Sequence, residues 1–421
     1  MNLKSIVPVL TLILAANLLA CVAPIPAPPP ESAPASTQTS ESSQPATTPT
    51  MEPRHKDQLF GWYPCSADGT VMFTSAMFPP HLITEILPMG KMAGGHVTPT
   101  DHLYIHRDVP QGEDVDYVVA PADGFIVSIQ RFSQDRLLDR DNQLSLMVPD
   151  YRLIFMHSCQ IFTIFIHLGE FSPAVAEKVG QIPIGGRWGG GSEEPIEVKA
   201  GEPIAKFGGQ SLDWSVHDAD TTLSGFVVPE HYESEPWKIH TVDPFQFYSE
   251  PIKSDLLSKL LRTVEPRAGK IDYDIEGTIA GNWFLDGSVD YKGMGPDSKY
   301  WQGHLSIAYG FLDPTQIRMS IGFDHGLNDD LHCNVCFGAY GVRGNQPDPA
   351  MIGPGSGIVK YELMSRKDGS SLLVKDQVGD TSLGTFLVQH LGDRTIRVEV
   401  IPEKAPHEVD DFSDASLIYH R

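Results

Sequence analysis

The chain is 421 residues long, 41% apolar and strongly acidic, with a formal net charge of −23 and an isoelectric point near 5.0. That charge argues against nucleic acid as a partner and against anionic lipid headgroups as a docking surface, since both are bound by clustered Lys and Arg. It fits a protein that handles neutral or cationic groups.

The N-terminus reads as an export signal. Lys4 precedes the apolar run Ile6–Leu19, which is shorter than the roughly 20 residues a spanning helix needs. The run ends in Leu18-Leu19-Ala20-Cys21, which resembles a bacterial lipobox. That resemblance implies that residues 1–21 are a lipoprotein signal peptide, with Cys21 lipid-modified as the new N-terminus. The protein would then be extracytoplasmic and anchored at the bacterial cell envelope. The competing reading is an ordinary cleaved signal with a chance Cys. Residues 22–55 are almost all Pro, Ala, Ser, Thr and Gln and cannot bury enough apolar surface to offset chain entropy. They read as a disordered, partly polyproline tether.

The remainder is long enough for two domains at about 100–200 residues each. Over 56–250 the pattern is short strands at Leu103–Ile105, Val118–Ala120, Phe125–Ile129, Arg152–Met156, Ile161–Ile166, Pro203–Phe207 and Leu212–Val216. Turn signals such as Asp123-Gly124 and Gly208-Gly209 separate them, and no long helix is expected, so this is an antiparallel β domain. The glycine cluster Gly185–Gly191 reads as part of a long loop. Residues 251–267 read as a linker with a short helix over Ser254–Arg262, Ser254 as its N-cap. From 268 to 421 a second β pattern alternates apolar and polar residues: Lys270–Gly277, Leu305–Phe311, Gln316–Gly322, Ile358–Met364, Ser371–Val374, Gly384–His390 and Thr395–Ile401. A closed barrel or a sandwich would hide the strand edges. Gly281-Asn282-Trp283 resembles the Gly-x-Trp signature of lipocalin-like barrels.

Cys65, Cys159, Cys333 and Cys336 are even in number and face an oxidising compartment. A Cys65–Cys159 bridge is plausible. Cys333-x-x-Cys336, beside His332, is open to a metal pair, a redox pair or a tight disulfide.

The chemistry concentrates in Gly95-His96-Val97-Thr98-Pro99-Thr100-Asp101-His102, where two imidazoles and a carboxylate precede a strand. Divalent metals such as zinc take this mixture of nitrogen and oxygen ligands. Further along stand Val118-Val119-Ala120-Pro121-Ala122-Asp123-Gly124-Phe125-Ile126-Val127, then Phe165-Ile166-His167-Leu168, then Val198-Lys199-Ala200-Gly201-Glu202, and last Ser211-Leu212-Asp213-Trp214-Ser215-Val216. In that order the segments resemble the lysostaphin/LytM-type zinc metallopeptidases, which cut peptide cross-links of peptidoglycan. The resemblance covers about residues 95–218. It implies a LytM-like antiparallel β domain, zinc as cofactor and peptidoglycan peptides as substrate. It also implies a metal held by His96, Asp101 or the adjoining His102, and Asp213, with His167 and Ser211 at the catalytic positions.

The departures fall on the chemistry. His96 and Asp101 are separated by four residues where the family usually has three. The family's final His-x-His is here Ser211-Leu212-Asp213. Asp213 can still ligate zinc, but a second carboxylate makes the metal more electron-rich and its water less acidic. Losing a His at 211 removes an oxyanion donor, for which His102, His157 or His217 could compensate. Two other readings stay open: a catalytically degenerate module that binds cell wall or regulates a hydrolase, and a lipocalin-like ligand carrier through the C-terminal domain.

Overall fold

The computed structural model describes residues 70–107, 117–132, 136–140, 144–190, 193–208, 211–295, 298–322, 327, 331–369 and 371–421. The segments expected to be a signal peptide and a tether, with Cys21, and Cys65 lie outside the described residues.

The first unit comprises β1 (Ile83–Leu87), β2 (Leu103–Arg107), β3 (Tyr117–Val119), β4 (Gly124–Arg131), β5 (Arg136–Arg140), β6 (Leu144–Val148), β7 (Tyr151–Met156) and β8 (Ile161–Phe171). It continues through helix α1 (Pro173–Val179), β9 (Arg187–Gly189), β10 (Ile196–Val198), β11 (Pro203–Phe207), β12 (Leu212–Asp218), β13 (Thr241–Val242) and helix α2 (Ile252–Lys259). Eleven of these strands form one sheet: seven run in the order β1-β2-β12-β8-β7-β4-β10, β3, β9, β11 and β13 pair beside them, and β5 and β6 pair with each other. Its pairings are antiparallel.

Alternation along β12 places Leu212, Trp214 and Val216 in the main core and turns Asp213, Ser215 and His217 to the opposite face. In β2, Leu103 and Ile105 enter the same core, which leaves His102 and Tyr104 on the face with Asp213. That second face is buried too. Trp237 covers part of it, and the C-terminal unit closes over the rest.

The second unit is a closed antiparallel barrel of β14 (Gly281–Leu285), β15 (His304–Tyr309), β16 (Ile317–Ile321), β17 (Ala339–Val342), β18 (Val359–Arg366), β19 (Val378–Gly392), β20 (Thr395–Pro402) and β21 (Leu417–His420), with helix α3 (Leu372–Lys375) between β18 and β19. The chain is therefore mainly β, with an antiparallel sheet followed by a barrel rather than a sandwich. Trp283, Ile307, Met319, Tyr361, Phe386 and Val398 are among the side chains that fill its core.

Several expected elements differ. Lys270–Gly277 is not a strand. Ile271 packs into the first core and Tyr273 into a small cluster with Met92, Ala308 and Ala339. The Asp272 and Asp274 carboxylates accept the Gly225 and Val227 N–H groups. Its alternation serves two neighbours, not a ladder. Ser371–Val374 is helical instead, because the Ser371 hydroxyl accepts the Val374 N–H as an N-cap. Helix α2 starts at Ile252, ahead of Ser254, whose N–H is taken by the Glu250 carboxylate. It packs Leu256 into the main core, so it belongs to the first unit and is no free linker. Within the glycine cluster, Arg187–Gly189 pairs with β4.

Candidate functional site

Ala93 and His96 exchange both backbone hydrogen bonds at 3.0 Å across Gly94-Gly95, so the two glycines form the tip of a tight turn. Gly94 has φ 61°, the left-handed conformation glycine adopts without cost. The following loop folds back, with Thr100 O accepting from Gly90 N–H at 2.8 Å and Lys91 O from Thr100 N–H at 3.3 Å. His102 thus enters β2 with its ring edge-on to Tyr104, centroids 4.9 Å apart, and 5.5 Å from the ring of His96.

His167 reaches the same face by a different device. The β7–β8 pairing runs Arg152↔Ile166 and Tyr151↔Leu168, leaving His167 as the extra residue of a β-bulge. Its φ is 68°, a left-handed conformation that costs an L-residue about 1–2 kcal/mol. Strict alternation would send its side chain toward the core side of Phe165. The bulge turns it to Asp213 instead. Gly208, whose N–H donates to His167 O at 2.9 Å, permits the close approach, since a Cβ there would lie 2.7 Å from that oxygen.

Two carboxylate–imidazole pairs then converge on one oxygen. Nδ1 of His102 lies 3.0 Å from Asp101 Oδ1, and its Nε2 lies 3.4 Å from Asp213 Oδ2. Nδ1 of His167 lies 3.0 Å from Asp150 Oδ2, and its Nε2 lies 3.3 Å from the same Asp213 oxygen. The Ser211 hydroxyl donates to Asp213 Oδ1 at 3.0 Å. All of these side chains are buried.

The electrostatics follow from this burial. Burial alone would disfavour a charged His167, but Asp213 and Asp150 outweigh it and raise its pKa to about 9. Burial, with the field of His102 added, lowers His96 to about 3 and keeps it neutral. Burial works against ionisation of Asp101, yet Lys238 and His102 together hold it well below the usual carboxylate range. Lys238 is itself lowered by burial, and its ammonium donates to Pro99 O at 2.7 Å.

The donor set is two imidazole nitrogens and a carboxylate, each imidazole backed by a carboxylate, which is how metal-binding histidines are commonly oriented. Ligands at about 2.0–2.1 Å from a tetrahedral zinc stand about 3.3–3.4 Å apart, the separation of both imidazoles from Asp213. Nε2 of His102 is buried without a hydrogen-bond partner. Yet among the described residues no three His, Cys, Asp or Glu side chains are grouped as a complete metal site. Two matched edges and a buried nitrogen with no hydrogen bond fit a metal.

Of the residues singled out in the sequence, His96, Asp101, His102, His167, Ser211 and Asp213 come together at this face. Their places differ from the expected ones. Asp101 stands behind His102, and His167 faces Asp213 directly. His96 lies beside His102 with Nδ1 at 3.4 Å from the Tyr300 hydroxyl of the second unit. His217, a possible compensating residue, is occupied: Nδ1 is 2.9 Å from Trp237 O and Nε2 2.8 Å from the Ser215 hydroxyl. His157 is bonded to Asp123 O and the Thr163 hydroxyl. Cys333 and Cys336 form a disulfide, which excludes a metal pair there in this oxidised form. Cys159 is disulfide-bonded. Nothing in the local sequence of Asp150, Lys91 or Tyr300 marks them as residues of this site. No protein-family model, no curated protein and no solved structure matches the chain.

Proposed function

We propose that the chain is an envelope-anchored, metal-dependent peptidase acting on peptidoglycan cross-link peptides, tethered through a lipid on Cys21. The observation that carries the reading is the bulge at His167. A strained histidine is turned onto Asp213 opposite His102, with a carboxylate behind each imidazole. His102, His167 and Asp213 would hold a zinc ion. When bound, such an ion polarises a scissile carbonyl and lowers the pKa of its water. Asp101 and Asp150 fix the ring orientations, and the Ser211 hydroxyl fixes the Asp213 carboxylate. His96, neutral through burial, packs beside His102.

A second reading has its own support. Ser211 stands where the resembled family has a catalytic His, and its hydroxyl is already given to Asp213. The module would then bind cell wall without cutting it.

Elemental analysis of the purified protein, with turbidity loss of cell-wall sacculi, separates the two. The peptidase reading expects about one zinc per chain, chelator-sensitive cleavage, and loss of both in His102→Ala. Stoichiometric metal without cleavage supports the second reading, and absence of metal with no cleavage defeats the first.

A further inference from the structure

Lys91 is a cation at this site with no assigned role. The Thr100 contact holds its backbone alongside the His96–Asp101 loop. Its ammonium rests 4.5 Å above the centre of the Tyr104 ring, the ring that packs on His102. Burial lowers its pKa, and Asp213 is the acidic group whose field does most to keep the proton on it; Lys91 in turn lowers His96. Lys91 forms no ion pair with any described residue. The neighbouring cations are committed: Lys238 to Pro99 O, and Arg366 to Lys375 O and Asp376.

We propose that Lys91 is the anion-binding group of the site, donating to the carbonyl oxygen of the bound peptide as it becomes negative. The inference rests on the peptidase reading for its reaction. Water oxygen adds to the carbonyl carbon, and the C=O π pair moves to oxygen, where the Lys91 ammonium donates a hydrogen bond. The pair then returns, the C–N bond breaks, and the proton lost by water leaves with the amine. The Ser211 hydroxyl cannot serve as that donor, because it is spent on Asp213. A cation on an aromatic ring keeps its N–H groups available without being neutralised.

The test compares the full chain with Lys91→Met and Lys91→Arg, using inorganic phosphate as a tetrahedral anion probe in calorimetry, and sacculus cleavage alongside. Thermal unfolding within about 2 °C of wild type establishes that each variant is folded. The expected result is phosphate binding weakened at least about tenfold in K91M and largely kept in K91R. Cleavage should fall about 100-fold in kcat with KM nearly unchanged, as when an oxyanion donor is removed. Equal phosphate affinity in wild type and K91M, no phosphate binding by the wild type, or a rise in KM alone would overturn the proposal. If the wild type does not cleave sacculi, the peptidase reading fails, while the phosphate comparison still decides the role of Lys91.

Discussion

A histidine in a left-handed bulge position is held there against its own backbone preference. Glycine carries no such penalty, so the strain at His167 separates from its chemistry by comparing two truncations. Both His167→Ala and His167→Gly remove the imidazole and leave Asp150 and Asp213 facing each other. Only the glycine variant relieves the φ of 68°. The glycine variant should therefore be more stable than the alanine variant by about 1–2 kcal/mol in urea denaturation, while under the proposed metal-dependent function neither would bind zinc. Equal stabilities would mean the backbone is not strained. At this scale His96, Asp101, His102, His167 and Asp213 were legible because their residue types and order carry the resemblance. Which of them faces which was not legible, since the bulge that re-aims His167 depends on β7, β8 and β11 meeting, a long-range fact. Asp150 could not be found for the same reason: it sits 17 residues before His167 and touches it only through the strand pairing.

Strand β12 shows how one element divides its duties. Its apolar residues anchor the core, and its polar residues build the site and then a structural hydrogen-bond pair at His217. Burial lowers the His217 pKa to about 4, the field of Asp101 being too weak to offset it. His240 and His102 lower it further, while its contact with Trp237 O favours the proton. In the unfolded chain the same group titrates near 6.5. Between those values the unfolded state binds more protons, so stability rises with pH there and is lost as pH falls from about 6.5 toward 4. His217 is fully buried, and the shift amounts to at most about 3 kcal/mol. In His217→Asn, whose amide can still donate to Trp237 O, stability measured by urea titration from pH 7 to 4 should fall less steeply by about that amount. Parallel profiles would show that His217 is not the titrating group. Many strand positions were readable because period two is a local signal, but β1, β5, β6, β9, β10 and β13 were not expected from the sequence. The exceptions are instructive: Lys270–Gly277 alternates because its two sides meet different cores, and Ala339–Val342 and Leu417–His420 are strands only because the barrel must close.

At the scale of the whole molecule the two units share one fabric. Phe284, Tyr291 and Tyr300 of the second unit belong to the core of the first. Gly94 N–H donates to Phe337 O at 2.6 Å, beside the disulfide of the barrel loop. The far side is tied by Arg421, whose guanidinium lies 4.2 Å from the Trp283 ring centre and donates to Thr278 O at 2.8 Å and Ile275 O at 3.1 Å. It also pairs at 3.6 Å with Asp274, which accepts N–H groups from Asn282 in the barrel and Val227 in the first unit. Gly281 of the Gly-x-Trp segment is required there, since a Cβ would lie 2.2 Å from the Asp274 carboxylate. Arg421→Ala would strip the buried Asp274 carboxylate of its guanidinium partner and take a donor from Ile275 O, Thr278 O and Ala280 O, a loss of about 3–5 kcal/mol. Because Asp274 bridges both units and the cores interpenetrate, that loss should spread through the molecule rather than stop at the barrel. Hydrogen exchange read by mass spectrometry should show protection falling together in peptides from β14, β2 and β12. Loss confined to β14 and its barrel neighbours would mean that the barrel opens alone. The site would then be assembled by docking of two independently folded units, and Tyr300 would reach His96 only in the docked state.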